Sequence, residues 1–226
     1  MDPARNPYRI KRSDRVFLVG ASGSGKTTLA KGLLWRVPEV FILDPKHTFS
    51  LPGGPENPDA PWQSVVYRDM RGLHDHADPD AATPIAAIYR PTLEEMEKGC
   101  DAFFQFVYER GDCYVYVDEV MRVTNGSRMA GRYYQTVLQL GRERGVGCWS
   151  ATQRPSNIPL VTVTEAEHFF VFKLRSPDDR KRMFEYTGQP ELNRIPRDVN
   201  GFWYYSDVTG KVHYYSRAKV ERALAK

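Results

Sequence analysis

The stretch Arg15-Val-Phe-Leu-Val-Gly20-Ala-Ser-Gly-Ser-Gly25-Lys26-Thr27-Thr28 decides how this chain is built. Its apolar opening reads as a short buried strand and its glycine-rich centre as a turn. Leu29, Leu33 and Leu34 then recur at helical spacing, so a helix is expected from residue 27 to about 37, stopped by Pro38. Residues 20–27 match G-x-x-x-x-G-K-[ST] in full. In that pattern the backbone N–H groups of Gly20, Ala21, Ser22, Gly23, Ser24, Gly25, Lys26, Thr27 and Thr28 curl around phosphate oxygens, and the helix N-terminus adds its positive end. Lys26 would reach the β- and γ-phosphates of ATP, and the Thr27 hydroxyl would ligate Mg²⁺.

A phosphate loop says that a nucleotide binds, not what becomes of it. Tyr114-Val-Tyr-Val-Asp118-Glu119 is an apolar strand ending in two carboxylates. Asp118 is placed to hold Mg²⁺, and Glu119 to polarise a water for in-line attack. A phosphotransferase gains nothing from an activated water, so this pair favours hydrolysis over kinase chemistry. Gly147-Cys-Trp-Ser-Ala-Thr152 is a further apolar strand, and Gln153 at its end falls on the same sheet edge as the phosphate loop if the sheet is parallel. There its amide would sense the γ-phosphate or orient the water. Arg142 lies in Gly141-Arg-Glu-Arg-Gly145, at the end of the preceding helix. Its spacing admits two readings: an arginine finger supplied to a neighbouring subunit, or a cation complementing a helix C-terminus.

Working outward, strands are expected at 40–43, 64–67, 85–89, 113–117, 147–152 and 169–174, with helices at 92–110, 132–143 and 177–186. Thr92-Leu-Glu-Glu95 carries the capping-box signature. Phe202–Ser206 and Val212–Tyr215 flank a Gly-containing turn and read as a hairpin. Alternation of strands and helices implies an α/β chain with a mostly parallel central sheet flanked by helices. Residues 1–12, with Pro3, Pro7 and several Arg and Lys, read as a solvated N-terminal arm. Residues 13–226 read as one ATPase domain that includes the C-terminal hairpin at about 201–216.

Composition bounds the rest. The 226 residues are 41% hydrophobic and 27% charged, which excludes a mainly disordered chain. No apolar run approaches the roughly 18 residues of a membrane span. The segment Met1-Asp-Pro-Ala-Arg5 has no apolar stretch behind it, so a cytoplasmic location is expected. Cys100, Cys113 and Cys148 form no CxxC pair and suit a reducing compartment. A net charge of +4 permits nucleic-acid binding without establishing it.

Taken together, the phosphate loop, Asp44-Pro45-Lys46, Asp118-Glu119, Gly141-Arg142-x-x-Gly145 and Ala151-Thr152-Gln153-Arg154-Pro155 resemble the FtsK–HerA superfamily of DNA-pumping ATPases over roughly residues 12–190. The last two motifs carry the specificity. The resemblance implies an additional-strand, RecA-like P-loop NTPase fold and a homo-oligomeric ring, hexameric in the family. It gives Arg142 the role of a finger acting in trans and Gln153 that of a sensor. Cellular members add an anchor, a barrel or a DNA-reading domain, and this length leaves room for a bare motor. It therefore most resembles the small packaging ATPases of double-stranded DNA viruses. The expected function is ATP-driven translocation of double-stranded DNA into a preformed capsid, with capsid or membrane-vertex proteins as partners. The host cytoplasm, or the virion itself, is the expected location.

Three other functions stay in view: a plasmid or mobile-element transfer motor, a nucleotide-dependent assembly switch, and a small-molecule P-loop kinase. A GTPase is disfavoured because no Asn-Lys-x-Asp segment occurs. Arg122, Arg128 and Arg132, after Asp118-Glu119, read either as pore residues contacting DNA phosphates or as an ordinary basic surface loop. His74-Asp75-His76 with Asp78 and Asp80 reads as a solvated loop rather than a metal site. Trp203, Tyr204, Tyr205, Tyr214 and Tyr215 either stack bases or cap the sheet and fill a subunit interface.

Overall fold

Strand β1 (Arg15–Val19) is buried along its whole length and occupies the interior of a nine-stranded sheet. The computed structural model describes residues 8–34, 39–51, 63–76, 85–124 and 130–216. The other strands are β2 (Val40–Leu43), β3 (Gln63–Tyr67), β4 (Ile85–Tyr89), β5 (Tyr114–Asp118), β6 (Gly147–Thr152), β7 (His168–Val171), β8 (Phe202–Ser206) and β9 (Lys211–Tyr215), in spatial order β3-β4-β2-β5-β6-β1-β7-β8-β9. The first seven pair in parallel, and the final hairpin continues the sheet antiparallel. This is the expected α/β architecture. One feature of it places the site: β6 lies between β1 and β5, pairing Leu18 with Ala151 on one side and Asp118 with Ala151 on the other.

Strand residues alternate between two cores, as a pleat buried on both faces requires. Val16 and Leu18 point toward helix α1 (Lys26–Leu34), whose Leu29, Ala30, Leu33 and Leu34 are buried with them. Phe17 and Val19 point to the opposite face, against α4 (Asp101–Arg110), α5 (Arg132–Leu140) and α7 (Pro177–Thr187). Two shorter helices, α2 (Met70–His76) and α3 (Leu93–Glu97), flank the β3–β4 end, and α6 (Leu160–Thr164) precedes β7.

Three expectations are corrected. The helix expected over 92–110 is two helices. Its capping box forms, with Thr92 Oγ1 accepting from the Glu95 amide, but Gly99 and Cys100 turn left-handed at φ 71° and 52°. The break lets Gly99 approach the Gly131 backbone, where a Cβ would come within 3.3 Å, and lets Asp101 Oδ1 accept from the Tyr133 amide at 3.0 Å. A tertiary contact outweighs local helix propensity there. Next, His74-Asp75-His76 lies on α2, not in a loop, and the His74 ring packs 4.6 Å from that of Phe106. Asp78 and Asp80 lie outside the described residues, and among the described residues no three metal-binding side chains converge.

The third correction concerns the N-terminal arm. Tyr8 and Ile10 are each only 4% exposed. The Tyr8 ring sits 4.9–6.4 Å from those of Phe170, Phe202, Tyr204 and Tyr215, and its carbonyl accepts from the Tyr204 hydroxyl at 3.0 Å. Alternation of apolar and charged residues over five positions is too short a signal to mark a packed segment. The aromatic hairpin expected to stack bases, cap the sheet or fill a subunit interface thus packs into both cores, Phe202 and Tyr204 into one and Tyr205 into the other, with Tyr204 and Tyr205 each 5% exposed. Deleting an aromatic ring so enclosed costs about 3 kcal/mol or more. Tyr8→Ala should therefore lower the melting temperature by about 6–12 °C in a chain of this size, as read by differential scanning calorimetry.

Candidate functional site

The phosphate loop leaves β1 between the ends of β6 and β7. The Gly20 amide donates to the Thr152 carbonyl at 3.2 Å, and the Ala21 amide to the Lys173 carbonyl at 2.8 Å. Gly20 is required because a Cβ there would fall 2.5 Å from Phe172 Cβ. Gly25, at φ 103°, completes the turn into α1. The loop wraps its own lysine: Lys26 Nζ donates to the carbonyls of Gly20 (2.5 Å) and Ala21 (3.1 Å). Burial pulls the Lys26 ammonium down to about 8, against the opposing influence of Glu119 and Asp118. Ser24 Oγ is buried with no hydrogen-bond partner among the described residues.

Strand β5 brings up the two carboxylates. Asp118 Oδ1 accepts from the Tyr116 hydroxyl at 3.1 Å, and that phenol also meets the Thr27 side chain. Asp118 Oδ2 is ion-paired with Lys46 at 2.7 Å. The chain then turns sharply: Glu119 is left-handed at φ 89°, so its side chain leaves the strand alternation. The buried Glu119 carboxylate accepts from Thr152 Oγ1 at 2.9 Å and from the Gln153 amide at 3.2 Å. A non-glycine residue held so far from its preferred backbone region persists only because neighbours over-determine it, and such strain gathers at functional positions.

Because β6 is interposed, Gln153 ends up between the phosphate loop and the carboxylate pair, on the edge expected for it. It lines a cleft of about 240 Å³ with Ala21, Ser22, Arg154 and Arg175. Arg154 is held there by Asp179 at 2.8 Å. The larger cavity, about 450 Å³, is remote, lined by Arg9, Asp14, His168 and Lys211 near the other edge of the sheet.

Arg142 does not join this cluster. It sits in a short 3-10 segment (Gly141–Arg144) before β6, at the edge where the parallel strands begin, and is ion-paired with Glu167. Its side chain is 57% exposed. The length of β1 separates it from the phosphate loop of its own subunit, about 16 Å at strand rise. Arg122 and Arg132 are exposed on the segment that leaves Glu119, and Arg128 lies outside the described residues. Lys46, Thr152 and Tyr116 also belong to this cluster, without a role that spacing alone gives them. Lys46 had a signal, its place in Asp44-Pro45-Lys46. Thr152 and Tyr116 had none, since a buried Thr or Tyr in an apolar strand usually only packs.

ATP and Mg²⁺ fit these residues. The orphaned Ser24 hydroxyl and the inward-turned Lys26 are groups a phosphate would satisfy. Thr27 and Asp118, linked through Tyr116, are oxygen donors suited to a hard divalent cation.

No protein-family model matches the chain, and no curated protein matches it in sequence. Solved structures do match. The genome packaging NTPase B204 of Sulfolobus turreted icosahedral virus 2, in complex with ATPγS, aligns with TM-score 0.65 and 14% identity over 92% of this chain and 98% of that one. The DNA-packaging ATPase B204 of Sulfolobus turreted icosahedral virus aligns with TM-score 0.62 and 16% identity over 90% and 97%. The conjugation coupling protein TcpA of pCW3, with ATPγS, aligns with TM-score 0.55 and 13% identity over 90% of this chain and 60% of that one.

If Lys26 regains its full proton affinity against phosphate, ATP binding should take up protons at pH 8.5 and markedly fewer at pH 7.5. Calorimetric titration in buffers of different ionisation enthalpy reads this directly. Affinity should fall as pH rises through 8, because the free chain must then be reprotonated, and Lys26→Met should abolish binding. The strands, phosphate loop and interposed β6 together give this chain the fold of the P-loop ATPases, shared along nearly its whole described length with the viral packaging enzymes B204.

Proposed function

We propose that this chain is a member of the FtsK–HerA superfamily, an ATP-hydrolysing motor that translocates double-stranded DNA, and that its cargo is a viral genome packaged into a preformed capsid. The observation that carries this reading is the division of the constellation between two sheet edges. Lys26, Asp118, Glu119 and Gln153 converge at one edge, and Arg142 projects from the other. A finger that cannot reach its own phosphate loop belongs to a neighbour's, which requires a homo-oligomeric ring, hexameric by analogy with the superfamily. The full-length likeness to two packaging enzymes supports the cargo.

The roles follow from the geometry. Backbone amides of residues 20–28 and the Lys26 ammonium bind the triphosphate. Thr27 and Asp118 would hold Mg²⁺, which shields phosphate charge during transfer to water. Glu119, fixed by Thr152 and the Gln153 amide, presents its carboxylate to a water and takes its proton as the water attacks. Gln153, on the same turn, registers whether the γ-phosphate is present. The neighbour's Arg142 neutralises charge developing on the transferred group. Glu119 is followed directly by the segment bearing Arg122 and, further on, Arg128 and Arg132. Movement at the carboxylate thus passes to side chains suited to sequence-independent phosphate contact. No described helix is long and apolar enough to cross a membrane. We place the motor in the host cytoplasm or in the virion, docked on capsid or membrane-vertex proteins.

The likeness to TcpA supports a conjugative or plasmid-transfer motor as the second reading of the same machine.

Steady-state ATP hydrolysis per subunit should rise steeply with protein concentration and again with duplex DNA at low salt. A flat rate indifferent to DNA would remove the motor reading and leave an assembly switch. Glu119→Gln should bind ATP and lose turnover by about 10²-fold or more. Arg142→Ala should lose turnover by about 10³-fold. Mixing the two variants should restore part of the activity, because a boundary with an intact Glu119 on one subunit and an intact Arg142 on the other forms again. No rescue at any ratio would place Arg142 outside the site.

A further inference from the structure

The turn after β2 is more elaborately fixed than a connection between a strand and a surface loop requires. Asp44 is fully buried. Its carboxylate accepts from the Thr48 amide (3.2 Å) and the Phe49 amide (2.9 Å) and is ion-paired with Arg90 (3.2 Å). Arg90 donates onward to the Phe49 carbonyl at 3.1 Å. His47 is left-handed at φ 57°, its amide donating to the Asp44 carbonyl and its ring meeting the Pro91 carbonyl at 3.0 Å. A buried charge and a strained residue are costly unless the geometry they impose is used. What they impose is the direction of Lys46, whose ammonium reaches across from β2 to Asp118 Oδ2 at 2.7 Å.

Lys46 therefore stands where the metal-holding oxygen of Asp118 must be exposed. Its charge also acts on Lys26, which feels Glu119 and Asp118 as well, so two ammonium groups lie close to two carboxylates. That group of four is electrically balanced without a nucleotide. Mg²⁺ at Asp118 would displace Lys46 by repulsion and by competition for the same oxygen. A γ-phosphate would supply the negative charge for the displaced ammonium to meet, and ADP would not. The lysine stem is long and flexible enough to swing between two such anions while the backbone beneath it stays fixed.

We propose that Lys46 is a γ-phosphate reader of this site beside Gln153, its ammonium passing from Asp118 to the terminal phosphate when Mg²⁺-ATP binds. It is a positioning and specificity residue within the proposed motor and rests on that reading of the phosphate loop. It provides, within one subunit, a signal that separates ATP from ADP before any neighbour contributes Arg142.

The test is equilibrium binding of fluorescent ATP and ADP analogues to the full chain, with Mg²⁺ and with chelator. The variants are Lys46→Met and Lys46→Arg. Wild type should prefer ATP over ADP by about tenfold or more, the value of one charge-assisted contact. Lys46→Met should lose that preference through weaker ATP binding, with ADP binding held within about twofold. It should also need less Mg²⁺ to saturate its ADP complex, because Asp118 is no longer masked. Lys46→Arg, which keeps the cation and controls for folding, should retain the preference. Equal weakening of ATP and ADP by Lys46→Met would make Lys46 a scaffold residue, and an unchanged preference would remove it from the site. Either result overturns the proposal while leaving the nucleotide site intact. Failure of the wild type to bind either nucleotide would instead overturn the phosphate-loop reading, and Lys46 with it.

Discussion

Thr152 makes three hydrogen bonds on which the arrangement of this molecule depends. Its carbonyl accepts the Gly20 amide, its hydroxyl donates to Glu119, and the same oxygen accepts from the Arg154 amide at 3.3 Å. The residue is fully buried, at the end of a strand pinned between β1 and β5. One buried residue thereby fixes, through its carbonyl, the exit of the phosphate loop and, through its hydroxyl, the orientation of the strained Glu119 and the entry to the Gln153 turn. Buried polar networks of this kind are stabilising only when every member is satisfied.

The parallel sheet supplies the second constraint. Strands running one way gather their C-terminal ends on one edge, where the amides, carboxylates and Lys26 lie, and their starts on the other, where Glu167 holds Arg142. Glu167 is itself tied to β1, its carboxylate accepting the Arg15 amide at 2.9 Å and its own amide donating to the Arg15 carbonyl at 3.0 Å. The sheet is thus a rigid spacer with one chemical element at each end. In the ring proposed above, identical copies would bring such elements together at each boundary and separate them again without distorting any subunit.

Much of this was legible in the residues. The glycine-rich turn from β1 into α1, the Asp118-Glu119 strand end, the capping box at Thr92 and the position of Gln153 at the end of β6 are local patterns or follow from strand direction, and the fold places them so. What local patterns missed has a common cause. Tyr8 and Ile10 are flanked by charges and become core only because Phe170, Phe202, Tyr204 and Tyr215 converge on them from 160 positions or more away. The helix broken at Gly99 and Cys100 yields to Gly131 and Tyr133. His74 sits on a short helix braced by Phe106.

The sequence by itself determined most of the element types, the glycine-rich turn between β1 and α1 and the pairing of two carboxylates at a strand end, because those depend on spacings of a few residues. Tertiary structure alone decided that β6 separates β1 from β5, that Glu119 hangs on Thr152, that Lys46 occupies Asp118 and that Arg142 faces away from its own loop. Each of those depends on which strands lie side by side. That order is settled by the burial of two apolar faces across the whole sheet, and no short window of residues contains it.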